Sequence, residues 1–117
     1  MSGFPIDSEG GCLVVRLLGK LGANDHFRFL QTAAQLAQAP CKWVILDFVG
    51  VESIEAAAYF GLNHLFQLTL TRGGNVVWAN ANEVIRQALQ LHQLGSEVEM
   101  VNGIAEAVRG LNQRHWL

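Results

Sequence analysis

Three carboxylates, Asp47, Glu52 and Glu55, fall within one short stretch of the chain, and a pair of carboxyl groups held close together is the simplest apparatus for general acid and base chemistry. Nothing around them completes a catalytic set. A nucleophile elbow requires Gly-x-Ser-x-Gly and a phosphate-binding loop requires Gly-Lys-Ser/Thr, and neither occurs. His26, His64, His92 and His115 lack the short spacings that set two metal ligands on one helical face, and the cysteines, Cys12 and Cys41, lie far apart in sequence. We therefore read the acids as structural. Asp47 is a strand-end acid bonding its local loop, and the acids after it complement the positive end of a helix. The sequence predicts no enzyme, no metal site and no cofactor.

The elements that position these acids are legible on either side. Trp43-Val44-Ile45-Leu46-Asp47-Phe48 has the length of a strand and is apolar on both faces, as in a sheet covered from both sides. Val49 to Ile54 reads as a turn, and a helix is expected from about Glu55 to Thr71, ended by Gly73-Gly74. That helix opens on Ala56-Ala57-Ala58 and carries no Ser or Thr for several turns. Ala58, Leu62, Leu65, Phe66 and Thr69 make its core stripe, which Tyr59, Phe60 and Leu70 widen beyond one face.

The rest of the chain alternates strands with helices. An extended piece from Phe4 to Ser8 reaches Glu9-Gly10-Gly11, whose glycines suit a tight hairpin, and Cys12 to Leu18 follows as a second strand. Gly19 to Ala23 reads as a loop. Asn24 or Asp25 then caps a helix that Pro40 stops, with Phe27, Leu30, Ala34 and Ala37 as its buried stripe. Asn75 to Ala79 is a fourth strand. Asn80-Ala81-Asn82-Glu83 is a variant capping box opening a helix that carries Val84, Ile85, Ala88, Leu89 and Leu91 and stops near Leu94-Gly95. Val98 to Val101 is a short fifth strand. Asn102 caps a last helix with Ile104, Ala107, Val108 and Leu111 on one face, before an aperiodic tail of about 112–117. The pattern predicts an α/β domain spanning 1–117: a mostly parallel five-stranded sheet with an antiparallel N-terminal hairpin and four helices.

Composition narrows the function. Half of the 117 residues are apolar and 15% are charged, against about 25% charged in an average soluble domain, so some apolar surface is expected to face a partner, a second copy included. The net charge is −2, and Lys and Arg form no patch, which argues against nucleic acid. The first eleven residues hold no Lys or Arg. No apolar run approaches the roughly 20 residues of a membrane helix. A cytoplasmic chain without direct membrane insertion, with Cys12 and Cys41 reduced, is therefore expected. Trp43 and Trp78 read as core or rim packing, and Trp116 either docks back on the domain or anchors a partner.

The order of these residues resembles the STAS domain family, the module of bacterial anti-sigma factor antagonists and of sulfate transporter tails, over roughly Phe4 to Leu111. The most specific piece is the apolar strand with Asp47, then Gly50-Val51, Ile54, Glu55 and Gly61-Leu62 in the following helix. Leu18-Gly19-Lys20-Leu21, Arg72-Gly73-Gly74-Asn75-Val76-Val77, Asn82 to Leu89 and Ile104 to Val108 support it in the same order. The resemblance implies a helix entrance at which the antagonists carry an aspartate, two small hydroxyl residues and a glycine, the second hydroxyl being phosphorylated by a partner kinase to switch binding off. Glu55 stands at that aspartate, Ala56 and Ala57 at the hydroxyl pair and Ala58 at the glycine, so Ala57 offers no oxygen to phosphorylate. Gly22 stands where the family usually has an aspartate.

A phosphate at a helix start changes the local charge by nearly two units and disrupts an interface by repulsion, a switch this chain lacks. Ser53 is an alternative acceptor, although a Ser just before a helix more commonly serves as its cap. The resemblance thus implies a non-catalytic protein-interaction module of a bacterial regulatory complex. Its partner would be an anti-sigma factor or serine-kinase-like protein, contacted through Gly22, Ala23, Asn24 and Asp25, through Gly50, Val51, Glu52 and Ser53, and through Glu55, Ala56, Ala57, Ala58 and Tyr59. The alternatives are an accessory subunit of a membrane transport ATPase, or a lipid- or nucleotide-binding domain using the groove beside the second helix.

Overall fold

The computed structural model describes residues 3–39, 43–91 and 99–115. Strands β1 (Ile6–Glu9) and β2 (Cys12–Leu21) form an antiparallel hairpin in which Glu9 faces Cys12. Gly10 and Gly11 join them at φ 56° and 82°, the two left-handed positions of a tight turn whose twist matches the strands. From β2 onward the sheet is parallel, through β3 (Trp43–Ile54), β4 (Asn75–Ala79) and β5 (Glu99–Val101), in the order β1-β2-β3-β4-β5.

Helices α1 (His26–Gln38), α2 (Ala58–Thr71) and α3 (Glu83–Leu91) connect the parallel strands, and α4 (Ile104–His115) ends the described chain. Because each new strand is added on the same side of the last, right-handed crossovers send α1, α2 and α3 to one face of the sheet. Packing agrees: Phe29 and Leu36 of α1, Leu62 and Leu65 of α2, and Ile85 and Leu89 of α3 share a core with Val15, Leu46 and Trp78. The opposite face is left to α4, whose Ala107 and Leu111 pack with Cys12, Val14, Ile45, Val77 and Ala79. The α/β architecture, the hairpin and the four helices are those expected.

Several local expectations need correction. Gly19–Leu21 and Val49–Ile54, read as loop and turn, are strand: they pair as a two-stranded ribbon beyond the last β3–β4 pair, with Leu18 opposite Gly50 and Leu21 opposite Ile54. Register shifts between Arg16 and Leu18 and between Gly19 and Lys20 mark bulges, which destroy the alternation that signals a strand. Helix α2 consequently begins at Ala58 rather than Glu55.

On α1 the buried residues are Phe29, Thr32, Ala33 and Leu36. Phe27 and Leu30 are 50% and 45% exposed, and Ala34 and Ala37 are exposed as well. Both sets keep helical spacing, so tertiary contacts decide between them. Phe29 lies 5.0 Å from the Phe4 ring and so close to α2 that a Cβ on Gly61 would stand 2.3 Å from the ring. The Thr32 hydroxyl accepts the Phe4 N–H at 2.8 Å.

The cap of α3 is Asn82, whose Oδ1 accepts the Ile85 N–H at 2.9 Å, so Asn80 is not part of a capping box. Asn102 does not cap α4 with its side chain; its Oδ1 accepts from Arg86 at 2.9 Å. Helix α4 runs through the first part of the expected tail to His115. The expected stop at Leu94-Gly95, Val98 at the start of the fifth strand, Cys41 and Trp116 lie outside the described residues. At the other end of the core, Gly73 at φ 78° and the Gly74 N–H bonded to the Thr69 carbonyl at 3.0 Å close α2 as expected. Arg72 then donates to the carbonyls of Leu36 and Ala39 at the end of α1.

Candidate functional site

In a parallel sheet the carboxyl ends of the strands and the amino ends of the helices that follow them share one edge, where α/β folds place their binding groups. Here that edge carries the ribbon of β2 and β3, the loop into α1 and the turn into α2. Backbone bonds hold the turn. Glu55 N–H donates to the Leu21 carbonyl at 2.8 Å, Ala58 N–H to Glu55 at 2.9 Å and Tyr59 N–H to Ala56 at 3.2 Å. Ala57 occupies the N-cap position and supplies no side-chain acceptor to the helix. Ala56 and Ala57 are exposed, whereas Ala58 and Tyr59 are buried, and burial pushes the Tyr59 phenol above its ordinary pKa.

The loop beside it meshes with this turn. Gly22 is buried, and a Cβ there would stand 2.6 Å from Glu55 Oε2 and 3.1 Å from its Cδ, so the Glu55 carboxylate rests in space that any other residue at 22 would fill. Gly22 N–H donates to Asp25 Oδ2 at 3.0 Å, folding residues 23–25 into one 3-10 turn (Ala23–Asp25). Asp25 Oδ1 accepts from Arg28 at 3.1 Å, and the Arg28 guanidinium lies 4.1 Å above the Phe4 ring. Asp25 therefore closes its own turn and holds Arg28 of α1 by its side chain, but gives no side-chain cap bond to the backbone of that helix, contrary to its expected role as the cap.

Ser53 is not a helix cap either. It lies within β3, opposite Lys20 and half-buried, well before α2 begins. Of its neighbours, Glu52 is exposed, Val51 is buried, and Gly50 sits under Leu18, whose Cδ2 would be 2.6 Å from a Cβ added there. The ribbon thus sets Gly22–Asp25 beside Gly50–Tyr59 along one edge.

Asp47 belongs to a different construction. It is 1% exposed on the α4 side of the sheet and accepts hydrogen bonds at 3.0 Å from Arg16 Nη1, the Val49 N–H and Asn80 Nδ2. Arg16 also donates to Asp7 at 2.6 Å and approaches Glu9 at 4.0 Å. The hydrogen bond to Asp7 chiefly, with the charges of Asp7, Asp47 and Glu9, raises the Arg16 pKa further and keeps the guanidinium charged. Asn80 takes the left-handed φ of 65° to reach Asp47. These three bonds tie Asp47 to β2, to its own strand and to the residue after β4. Asp47 was expected at a strand end, bonding a loop; it lies inside β3 because the strand continues to Ile54, and the Val49 N–H it accepts is strand backbone, while Arg16 and Asn80 escaped the sequence reading. The available signal was Arg16 itself, a lone charge in the apolar strand from Cys12 to Leu18.

Other residues of the edge also went unrecognised. Leu18, Phe27, Val49, Phe60 and Val84 are large, apolar and exposed, and each lies in the ribbon or in the first turn of α1, α2 or α3. Among the described residues no group of three metal-ligating side chains occurs, and no helix is long and apolar enough to cross a membrane.

The model of the STAS domain matches residues 4–107. Solved structures share the fold at low identity. A candidate anti-sigma factor antagonist from Thermotoga maritima superposes with a TM-score of 0.84 at 18% identity, covering 93% of this chain and 94% of that one. The unphosphorylated form of the anti-sigma factor antagonist SpoIIAA, a Bacillus protein, gives 0.76 at 19% identity, with 95% and 97% covered. A sulfate transporter family protein from Wolinella succinogenes gives 0.76 at 17%, with 92% and 89% covered. By sequence, no curated protein matches. The family match spans both the ribbon and the α2 entrance, and on it the chain belongs to the STAS domain family.

Proposed function

We propose that this chain is a cytoplasmic, non-catalytic protein-interaction module of a bacterial regulatory complex, acting like an anti-sigma factor antagonist whose binding edge cannot be switched off by phosphorylation at position 57. The observation that carries this reading is the entrance of α2. There two exposed alanines head a turn held by backbone bonds, next to the Gly22–Asp25 loop and amid exposed apolar side chains. Such an edge supplies shape and apolar area and holds no set of reacting groups, which suits recognition better than chemistry. Its partner is a protein of the anti-sigma factor or serine-kinase type.

The test is a substitution that restores the missing charge. Ala57→Asp adds a carboxylate at the exposed N-cap of α2, so the domain should stay folded and gain up to about 1 kcal/mol of stability. Partner capture from native lysate should fall by roughly tenfold or more. Unchanged capture with Ala57→Asp would place the interface elsewhere.

A further inference from the structure

Resting on the proposed role of this edge, we infer that Phe60 is the anchor of the interface and that the partner presents an apolar pocket bordered by basic side chains that meet Glu52 and Glu55. Phe60 is 81% exposed in the first turn of α2, the most exposed aromatic side chain among the described residues. It is the third residue of α2, just after the exposed turn residues Ala56 and Ala57, so its ring projects from the entrance of the helix. The alanines beside it are small, and a pocket wall can close around the ring without meeting a bulky neighbour.

The rim has a sign. Glu52 and Glu55 are exposed, and neither forms an ion pair with a described residue. Of the cations on this edge, Arg28 is committed to Asp25, which leaves exposed Lys20 against two glutamates and the edge net negative. That charge selects the occupant. A second copy meeting this edge across a twofold axis would bring two net-negative edges together, and an anionic lipid surface would repel the acids. A protein with Lys or Arg around an apolar pocket satisfies both the ring and the rim, with the ring supplying affinity and the charges steering encounter.

The experiment uses the full chain and the protein that the wild type captures from native lysate, purified and titrated at low and high salt. Phe60→Ala should weaken binding roughly 30-fold or more at both salt concentrations. The double variant Glu52→Gln/Glu55→Gln should slow association and flatten its salt dependence while leaving dissociation nearly unchanged. Both variants alter exposed side chains, and unfolding curves matching the wild type establish that each is folded. Binding that survives Phe60→Ala but is lost in Ala57→Asp overturns the anchor and leaves the proposed edge standing. Binding indifferent to all three variants overturns the edge as well. Capture of nothing but a second copy of this chain, or association that strengthens as salt rises, also overturns the inference.

Discussion

Asp47, inside β3, and Glu55, just past its end, treat a carboxylate in opposite ways. Asp47 is buried, and its donors come from β2, from its own strand and from the residue after β4. Glu55 is exposed, rests on Gly22 and forms no ion pair among the described residues. Charge that is buried must be fully bonded, so the first site is architecture: it holds the bulge in β3 and thereby the path of the ribbon. Charge left solvated beside exposed apolar groups costs the fold little and remains available to a partner. Stability and recognition are therefore expected to separate along β3, with the division between Asp47 and Glu52.

Substitutions can break that separation, beginning with the largest effect. Asp47→Ala leaves the Asn80 amide and the Val49 N–H without their acceptor and Arg16 without one of its acids, and should destabilise the domain by about 3 kcal/mol in urea unfolding. Glu55→Ala should cost less than about 0.5 kcal/mol in the same assay. Similar losses for the two would remove the distinction.

Gly22→Ala tests the meshing of the two loops. The added methyl displaces the Glu55 side chain and should cost about 1 kcal/mol, most of it recovered when Glu55→Ala is added to the same chain. Strictly additive costs would mean that the two residues do not share that space.

The smallest effect concerns pH. Tyr59 is the single tyrosine, so phenolate absorbance reports it alone. Burial raises its folded pKa, so its contribution to stability is complete below the ordinary phenol pKa of about 10 and is lost as pH rises through the folded value. The native midpoint should lie above that of the chain unfolded in guanidinium. Coincident midpoints would place the ring in water.

What could be read from the chain follows the same division. Asn75–Ala79 was legible as a strand because nothing interrupts its apolar run, and the α2 core stripe was legible because Ala58, Leu62, Leu65, Phe66 and Thr69 keep helical period and are all buried. The ribbon was not, because bulges opposite Leu17 and next to Lys20 break the alternation that marks a strand. The face of α1 was misassigned because Phe27-Leu30-Ala34 and Phe29-Ala33-Leu36 satisfy the same period, and only contacts with Phe4 and Gly61 choose between them. The surroundings of Asp47 depend on Arg16 and Asn80, which are distant in sequence and brought together by strand order. At the candidate site the missing hydroxyl was visible in the residues, whereas the turn at 55–57 and the exposure of Phe60 depended on where β3 ends and α2 begins.

Amide hydrogen exchange of the full chain, alone and with its purified partner, tests the central claim most directly. The account predicts protection concentrated in the Gly22–Asp25 loop, the Gly50–Ile54 ribbon and the first turn of α2, with α4 and the β1–β2 hairpin unchanged. Protection confined to α4 or the hairpin, with the α2 entrance exchanging as in the free chain, would contradict it.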